Sequence, residues 1–547
     1  MPRRDDFLVG AGVRGIAGDP LRVPVLRRYS PLFAVFLLSG LLTRAGFAGA
    51  ARPDEADPVQ PEPTAAPIPH SVATLLATDI PADAPQSRSW PALINARLQA
   101  LVPIQRHTAA ATERSLRLRV EAALSGVDGR VAVEIRDLER GEVLLARDAD
   151  RALNPASNQK LITAIAAVEL LGADYRFETK VLREGDALIL RGEGDPDLHV
   201  RDLHRLAARV ASEIELGGIR RLIIDDSVFD GRTLGPGFRS DGPGESYIAP
   251  SGALALDYGT VEITTSPGAY LRPAQIHLEP SGAAIELIAD TRTEAGSLEV
   301  TTRPGADGRT IVEVVGAIPG GHAPISVRRR VADPGLVAGH NFAELLAAHS
   351  GGEPLPVARG RASADAALIA THQSATLITV SSSALRYSNN FTAEQILRTL
   401  AWRATGEPGT WAAGVELLDR FAARVSPTRA DAQRFVNGSG LSHDGRLSPS
   451  FLVDVLSLAQ RPGSPANALL ASFAKAGGEG TLHGRTPHAG ARVLAKTGTY
   501  AGASSLSGIV RASSDGRNLG FSVLVNGGEL DRSRAAQDQV VAALLRL

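Results

Sequence analysis

The chain of 547 residues has no cysteine, and lysine occurs at only four positions, 160, 180, 475 and 496. Without cysteine there are no disulfides and no thiolate metal sites, and the absence says nothing about compartment. The scarcity of lysine is more telling. Arginine stays charged at any physiological pH, whereas a lysine amine becomes neutral when desolvated, so a chain that otherwise uses arginine has a chemical reason for keeping lysine where a base is needed. A formal net charge of -1 and a pI near 6.9 provide no basic field for nucleic acid, so no nucleic-acid partner is expected. The histidines, His199, His204, His483 and His488 among them, form no H-E-x-x-H pair or other ligand spacing, and no metal is expected. Gly192-Glu193-Gly194 lacks the third glycine and the following helix of a dinucleotide fingerprint, so it reads as a turn and no cofactor is expected. What remains is 44% hydrophobic and 21% charged residues, enough to bury a large core in two or three domains.

The apolar run from Pro31 to Leu42 is too short for an ordinary membrane span. Arg27-Arg28 precede it and Ala48-Gly49-Ala50 follow it, which is the layout of an export signal, with cleavage expected near Ala50. The segment ahead of the run is long for such a signal. A start codon assigned too early accounts for that, and an uncleaved anchor is the alternative. Residues 51–95 are rich in Pro, Ala, Asp and Glu through about Gln86 and read as a linker. Ala96 to Leu124 has helical spacing with arginines on its other face, as a first packing helix would.

Arg130 to Arg136 alternates as a strand, and Glu142 to Arg147 completes a hairpin. Next comes Asn154-Pro155-Ala156-Ser157-Asn158-Gln159-Lys160-Leu161-Ile162, opening an apolar helix with Leu161, Ile165, Val168 and Leu171 at helical spacing and Gly172 as its stop. Short strands separated by Gly, Pro and Asp then run from Val181 to Val315, and helical character returns near Gly335. Three strand candidates, 492–495, 505–510 and 519–525, precede a last helix over Ala535 to Leu547. A hairpin and helix first, with strands and a helix last, predict that both ends meet in one domain. The expected fold class is α/β (α+β), a sandwich of an antiparallel sheet with helices built from 96–180 and 336–547, interrupted at 181–335 by an inserted β-rich domain or domains.

Ser157 and Lys160, three residues apart on a helical turn, can meet. A capping serine beside a surface lysine is the plainer reading. Two later motifs change the balance: Ser388-Asn389-Asn390, and Lys496-Thr497-Gly498 followed by Thr499, which uses a second of the four lysines. S-x-x-K, S-x-N and K-T-G together are a signature of serine acyl-transfer sites. A serine hydroxyl is a poor nucleophile until a neighbour takes its proton, and Lys160 is placed to do so. In this reading Ser388 relays the proton to the leaving amine, Asn390 holds Lys160 and the substrate amide, and Lys496 with Thr497 binds a carboxylate. Gly498 leaves room for a substrate backbone along the strand edge. The N–H groups of Ser157 and Thr499 form the oxyanion hole.

With these motifs the chain resembles the D-alanyl-D-alanine carboxypeptidase/endopeptidases of the class C low-molecular-mass (type-4) penicillin-binding protein family. Gly192-Glu193-Gly194-Asp195-Pro196, Asp225-Asp226-Ser227-Val228-Phe229, Asn437-Gly438-Ser439-Gly440-Leu441-Ser442 and Ser505-Leu506-Ser507-Gly508 add to the resemblance. It implies a serine β-lactamase/transpeptidase-like sandwich, location in the periplasm or cell wall, and peptidoglycan peptides and β-lactam antibiotics as partners. It further implies attack on a D-Ala-D-Ala or D-Ala-diaminopimelate bond through an acyl-enzyme.

Family members often carry Asp, Arg and Asn or Gln where this chain has Asn437, His443 and Ala501, which bears on diaminopimelate selectivity. Asp225 and Phe229 match positions that help to recognise that side chain, and with His443 they complete the expected substrate-binding set. Two other readings stay open. A β-lactamase would share the motifs but not the long insert, and a cell-wall binding protein without turnover would not need the motifs complete. Asn437-Gly438-Ser439-Gly440 lacks the first glycine of a nucleophile elbow and reads as a turn, and Lys180 and Lys475 read as surface residues.

Overall fold

The computed structural model describes residues 89–108, 114–239, 241–486, 488–512 and 516–547, so the expected export signal and most of the expected linker lie outside the described residues. Helix α1 (Trp90–Ala100) begins within the stretch read as linker, with Pro91 in its first turn, where a missing N–H does no harm. The single helix expected over Ala96 to Leu124 is two. Leu101 turns extended, Pro103 follows, and after the short strand β1 (His107–Thr108) the chain re-forms as α2 (Arg114–Leu124). Proline cannot donate to the helix and biases its predecessor towards extended backbone, a local effect that the periodic pattern overrode in the reading of the sequence. Leu116, Val120 and Leu124 recur every four residues along α2 and are its buried stripe.

Strands β2 (Arg130–Asp137) and β3 (Glu142–Arg147) form the expected hairpin. A 3-10 turn, Ala156–Asn158, leads into α3 (Gln159–Leu171), whose residues are all buried and which Gly172 terminates. The insert follows. Strands β4 (Glu178–Glu184) and β5 (Ala187–Gly192), helix α4 (Val200–Glu213) and strand β6 (Arg221–Asp225) make its first layer. Strands β7 (Thr260–Ser266), β8 (Gln275–Glu279), β9 (Ile285–Thr293), β10 (Leu298–Pro304), β11 (Thr310–Ile318) and β12 (Ile325–Arg330) make two three-stranded sheets, in the orders β12-β7-β8 and β10-β11-β9. Val261, Ile263, Val300, Val312 and Val314 pack between them.

Helix α5 (Pro334–Ser350) and strands β13 (Val357–Arg359) and β14 (Ala367–Gln373) then complete a five-stranded sheet in the order β13-β6-β5-β4-β14. The insert is therefore not simply β-rich, and its pairing runs to Gln373 rather than 335. Helix α4 escaped the reading of the sequence because arginines separate its core positions Leu203, Leu206, Ala207 and Val210. The change of period at Gly335 marked a helix packed on the insert's own sheet, with Phe342 and Leu346 facing Leu203 and Leu206 in one core, rather than a return to the first domain.

Helices α6 (Leu377–Arg386), α7 (Asn390–Thr405), α8 (Trp411–Val425) and α9 (Pro449–Gln460) come next, followed by strands β15 (Ala474–Lys475), β16 (Val493–Tyr500), β17 (Ala503–Arg511) and β18 (Asn518–Asn526) and helix α10 (Leu530–Leu544). The sheet order β1-β3-β2-β18-β17-β16-β15 joins the start of the chain to its end, with Leu519 to Asn526 antiparallel to Asp137 to Arg130. Alternation along the strands divides the core: Ala132 and Leu524 face α3 and its neighbours, while Val131, Val133, Val523 and Val525 face α2 and α10. The expected α/β sandwich with an antiparallel central sheet is what is found, the β1–β3 pair alone being parallel. Among the described residues no helix is long and apolar enough to cross a membrane.

Candidate active site

Ser157 does not sit in the first turn of a regular α-helix as expected. Ala156 has φ 44°, a left-handed conformation that a helix excludes, and Ser157 lies in the 3-10 turn before α3. In such a turn residues i and i+3 eclipse, which brings Lys160 Nζ to 2.9 Å from Ser157 Oγ. The strained turn is held from several sides. Ala156 N–H donates to Asn154 Oδ1 at 2.8 Å, and Asn154 N–H donates to Asn526 Oδ1 at 2.7 Å. Gly440 passes so close that a β-carbon on it would lie 2.0 Å from the Ala156 carbonyl oxygen.

Lys160 is fully buried and donates to Asn390 Oδ1 at 2.5 Å and to the Ser439 carbonyl at 3.0 Å. Asn390 opens α7, and its Nδ2 donates to the carbonyl of Tyr247 at 2.9 Å. Ser388 is buried between α6 and α7 with φ 65°, a second left-handed residue with a side chain. Its neighbours fix it: Asn389 N–H donates to Ser383 O at 3.2 Å, and Asn389 Oδ1 caps Thr392 N–H at 3.0 Å.

Strand β16 lies against the Ser157 turn. Its edge partner β15 covers only Leu494 and Ala495, so among the described residues no strand pairs with 496–500 on that side. Asn158 Nδ2 donates to the Lys496 carbonyl at 2.9 Å, and the buried Lys496 donates through Nζ to the Thr497 carbonyl at 2.7 Å. Gly498 was expected to be glycine for the sake of a substrate backbone. The structure gives a different reason, because a β-carbon there would point inward, 2.3 Å from Ser505 Oγ and 2.8 Å from Ser157 N. Thr499 Oγ1 accepts from Arg534 Nη2 at 3.2 Å, and the exposed His443 sets its ring 4.9 Å from that of Tyr500. Ala501, with φ 43°, turns β16 into β17.

Asp225 and Phe229, expected to contact substrate, are placed otherwise. Asp225 is fully buried at the end of β6 and accepts from the N–H groups of Ser227 at 3.1 Å and Ala362 at 3.0 Å. Phe229 is 4% exposed and lies under the Arg398 guanidinium at 4.2 Å, with Trp411 at 4.2 Å from the same cation. Burial lowers the Arg398 pKa to about 10 against the pull of Asp230 and Glu394. Asp225 ties segments of the insert together, and Phe229 packs the insert against α7 and α8.

Five contributors were missed in the sequence: Asn158, Tyr247, Glu394, Ser439 and Ser505. Asn437 to Ser442 and Ser505 to Gly508 had stood out as patterns without roles, whereas a backbone carbonyl such as that of Tyr247 leaves no side-chain signature. Among the described residues no group of three His, Asp or Glu side chains could hold a metal ion.

The model of the D-Ala-D-Ala carboxypeptidase 3 (S13) family matches residues 120–547. The chain is 33% identical over 459 residues to the D-alanyl-D-alanine carboxypeptidase of Actinomadura sp. (strain R39), covering 78% of this chain and 82% of that one. It is 28% identical to carboxypeptidase DacB of Mycolicibacterium smegmatis over 467 residues, 81% of this chain and 86% of the relative. The crystal structure of penicillin binding protein 4 (dacB) from Haemophilus influenzae superposes with a TM-score of 0.64 at 21% identity, over 77% of this chain and 97% of that one, and shares the fold. By the extent of the match and by its relatives, this chain belongs to the D-Ala-D-Ala carboxypeptidase 3 (S13) family of serine peptidases.

Proposed function

We propose that the protein cleaves the terminal D-Ala from D-Ala-D-Ala peptides of peptidoglycan, cleaves D-Ala cross-links as an endopeptidase, is acylated by β-lactams, and works in the periplasm or cell wall after export. The observation that carries this reading is the buried contact between Lys160 Nζ and Ser157 Oγ at 2.9 Å, beside an open strand edge. Lys160 takes the hydroxyl proton as Ser157 Oγ attacks the scissile carbonyl carbon. The N–H groups of Ser157 and Thr499 receive the negative charge that develops on its oxygen. Ser388 passes the proton to the departing amine, and D-Ala leaves. Asn390 holds the substrate amide. Lys496, Thr497 and Thr499 bind the terminal carboxylate, while Gly498 keeps the nucleophile turn against the strand. Water then cleaves the Ser157 ester, with Lys160 again as base. A β-lactam follows the same first step, but its amine stays tethered to the acyl group and blocks the water. His443, on the rim beside Tyr500, is the candidate contact for the stem-peptide side chain.

Mass spectrometry of the protein after benzylpenicillin tests this reading, with D-Ala release from a peptide ending in D-Ala-D-Ala as the companion assay. A stable adduct on Ser157 and D-Ala release are expected. An adduct elsewhere, or none, overturns the reading, and rapid release of hydrolysed penicillin would make the protein a β-lactamase.

A further inference from the structure

Asn437-Gly438-Ser439-Gly440 is more than a turn, and the residue that governs it lies outside every motif. A neutral lysine amine has two N–H groups and one lone pair, and it acts as a base only if the lone pair, rather than a hydrogen, meets the nucleophile's proton. Lys160 Nζ has Asn390 Oδ1 at 2.5 Å, the Ser439 carbonyl at 3.0 Å and Ser157 Oγ at 2.9 Å. Asn390 must present its oxygen, because its Nδ2 faces the Tyr247 carbonyl, which has no hydrogen to give. Asn390 and Ser439 therefore take the two N–H groups, and the lone pair is left for the Ser157 hydroxyl.

The direction of the Ser439 carbonyl is set from α7. Glu394 is 1% exposed and accepts from Gly438 N–H through Oε2 and from Ser439 N–H through Oε1, each at 2.8 Å, while Trp411 Nε1 donates to Oε2 at 2.8 Å. Glu394 follows Asn390 by one helical turn, so a single helix supports both acceptors. We infer that Glu394 is a positioning residue for the base: by clamping the 438–439 peptide it aims the Ser439 carbonyl at Lys160 and so turns the lysine lone pair towards Ser157. The inference rests on Lys160 acting as the base. A glutamine in its place offers one acceptor oxygen and one NH2 group, which would face a backbone N–H and push the turn away.

The test is stopped-flow acylation by a fluorescent penicillin, separating the dissociation constant of the non-covalent complex from the acylation rate constant. Glu394→Gln is expected to lower the rate constant about tenfold or more, with the dissociation constant within about twofold of wild type. Glu394→Asp, which keeps two acceptor oxygens, should recover part of the rate. Trp411→Phe removes a donor from the same carboxylate but leaves the peptide clamp, and should acylate near the wild-type rate. A wild-type rate in Glu394→Gln, a parallel weakening of both constants, or an equal rate loss in Trp411→Phe would each overturn the inference. If Glu394→Gln does not fold, Glu394→Asp against Trp411→Phe decides, and equal rates overturn it. A wild-type protein that is never acylated would instead refute the reading of Ser157 and Lys160 on which this one rests.

Discussion

The hydroxyl of Ser505 donates to the carbonyl of Pro155 at 2.7 Å, tying β17 to the turn that carries Ser157. Gly498 on β16 lies beside this bond, and the space for its missing β-carbon is already taken by Ser505 Oγ at 2.3 Å and Ser157 N at 2.8 Å. One hydroxyl, one glycine and one N–H thus share a single packing solution. Gly498→Ala should displace the nucleophile turn and lower acylation about a hundredfold. Adding Ser505→Ala should restore part of that loss, because it removes the atom in the way. Strict additivity in a double-mutant cycle of acylation rates would show that the two sites are not coupled.

Lys160→Arg keeps a positive charge and hydrogen-bonding capacity but cannot accept a proton. Acylation should fall by roughly two to four orders of magnitude, the usual range for losing a general base. Penicillin labelling followed over hours measures this, and near-normal labelling would remove the proton-transfer role.

Phe229→Ala should cost stability rather than catalysis. The ring is buried under Arg398, so its loss leaves a cavity and removes one of the two aromatic rings flanking that cation, together roughly 3–5 kcal/mol. Urea unfolding should register this while KM for a D-Ala-D-Ala peptide in the folded variant stays unchanged. A raised KM at unchanged stability would return Phe229 to the substrate site.

His199 gives the insert a pH dependence of calculable sign. Burial lowers its pKa, but hydrogen bonds from the ring to Asp197 and Asp257, and their charges, outweigh this and raise it to about 9. The unfolded value is near 6.5, so the stabilisation is fully present below that pH and is lost as the pH rises through about 9. It is worth on the order of 3 kcal/mol. His199→Asn keeps a residue suited to the start of α4 but removes the titration. The stability difference between wild type and variant, from urea curves at pH 6 and pH 10, should shrink by about that amount. A constant difference would show that His199 does not titrate in this range.

How much of this was legible depended on where the information resides. Ser157, Lys160, Asn390 and Lys496 could be read because S-x-x-K, S-x-N and K-T-G place reactive side chains at fixed short spacings, and the sandwich could be read because β2 and β18 each alternate in apolar character. Glu394, Ser505 and the Tyr247 carbonyl could not, since each acts by meeting a peptide group far away in the chain, and no local pattern encodes that encounter. Helix α4 is masked in the sequence by the arginines between its core positions, whereas the split between α1 and α2 is masked by a periodicity spread over many residues that hides the local effect of Pro103. The packing of Asp225 and Phe229 was likewise not legible, because their partners Ala362 and Arg398 lie more than a hundred residues away.

Strand β2 pairs with β18, so the hairpin ahead of the Ser157 turn finds its sheet neighbour only far along the chain. Without those later strands the edge of β2 lacks this neighbour and Ser157 has no wall of β16 beside it. A chain cut before β16 would therefore lack one wall of the site. The site closes only where segments far apart in sequence meet, so its chemistry depends on the completed sheet and not on the helix of Lys160 alone.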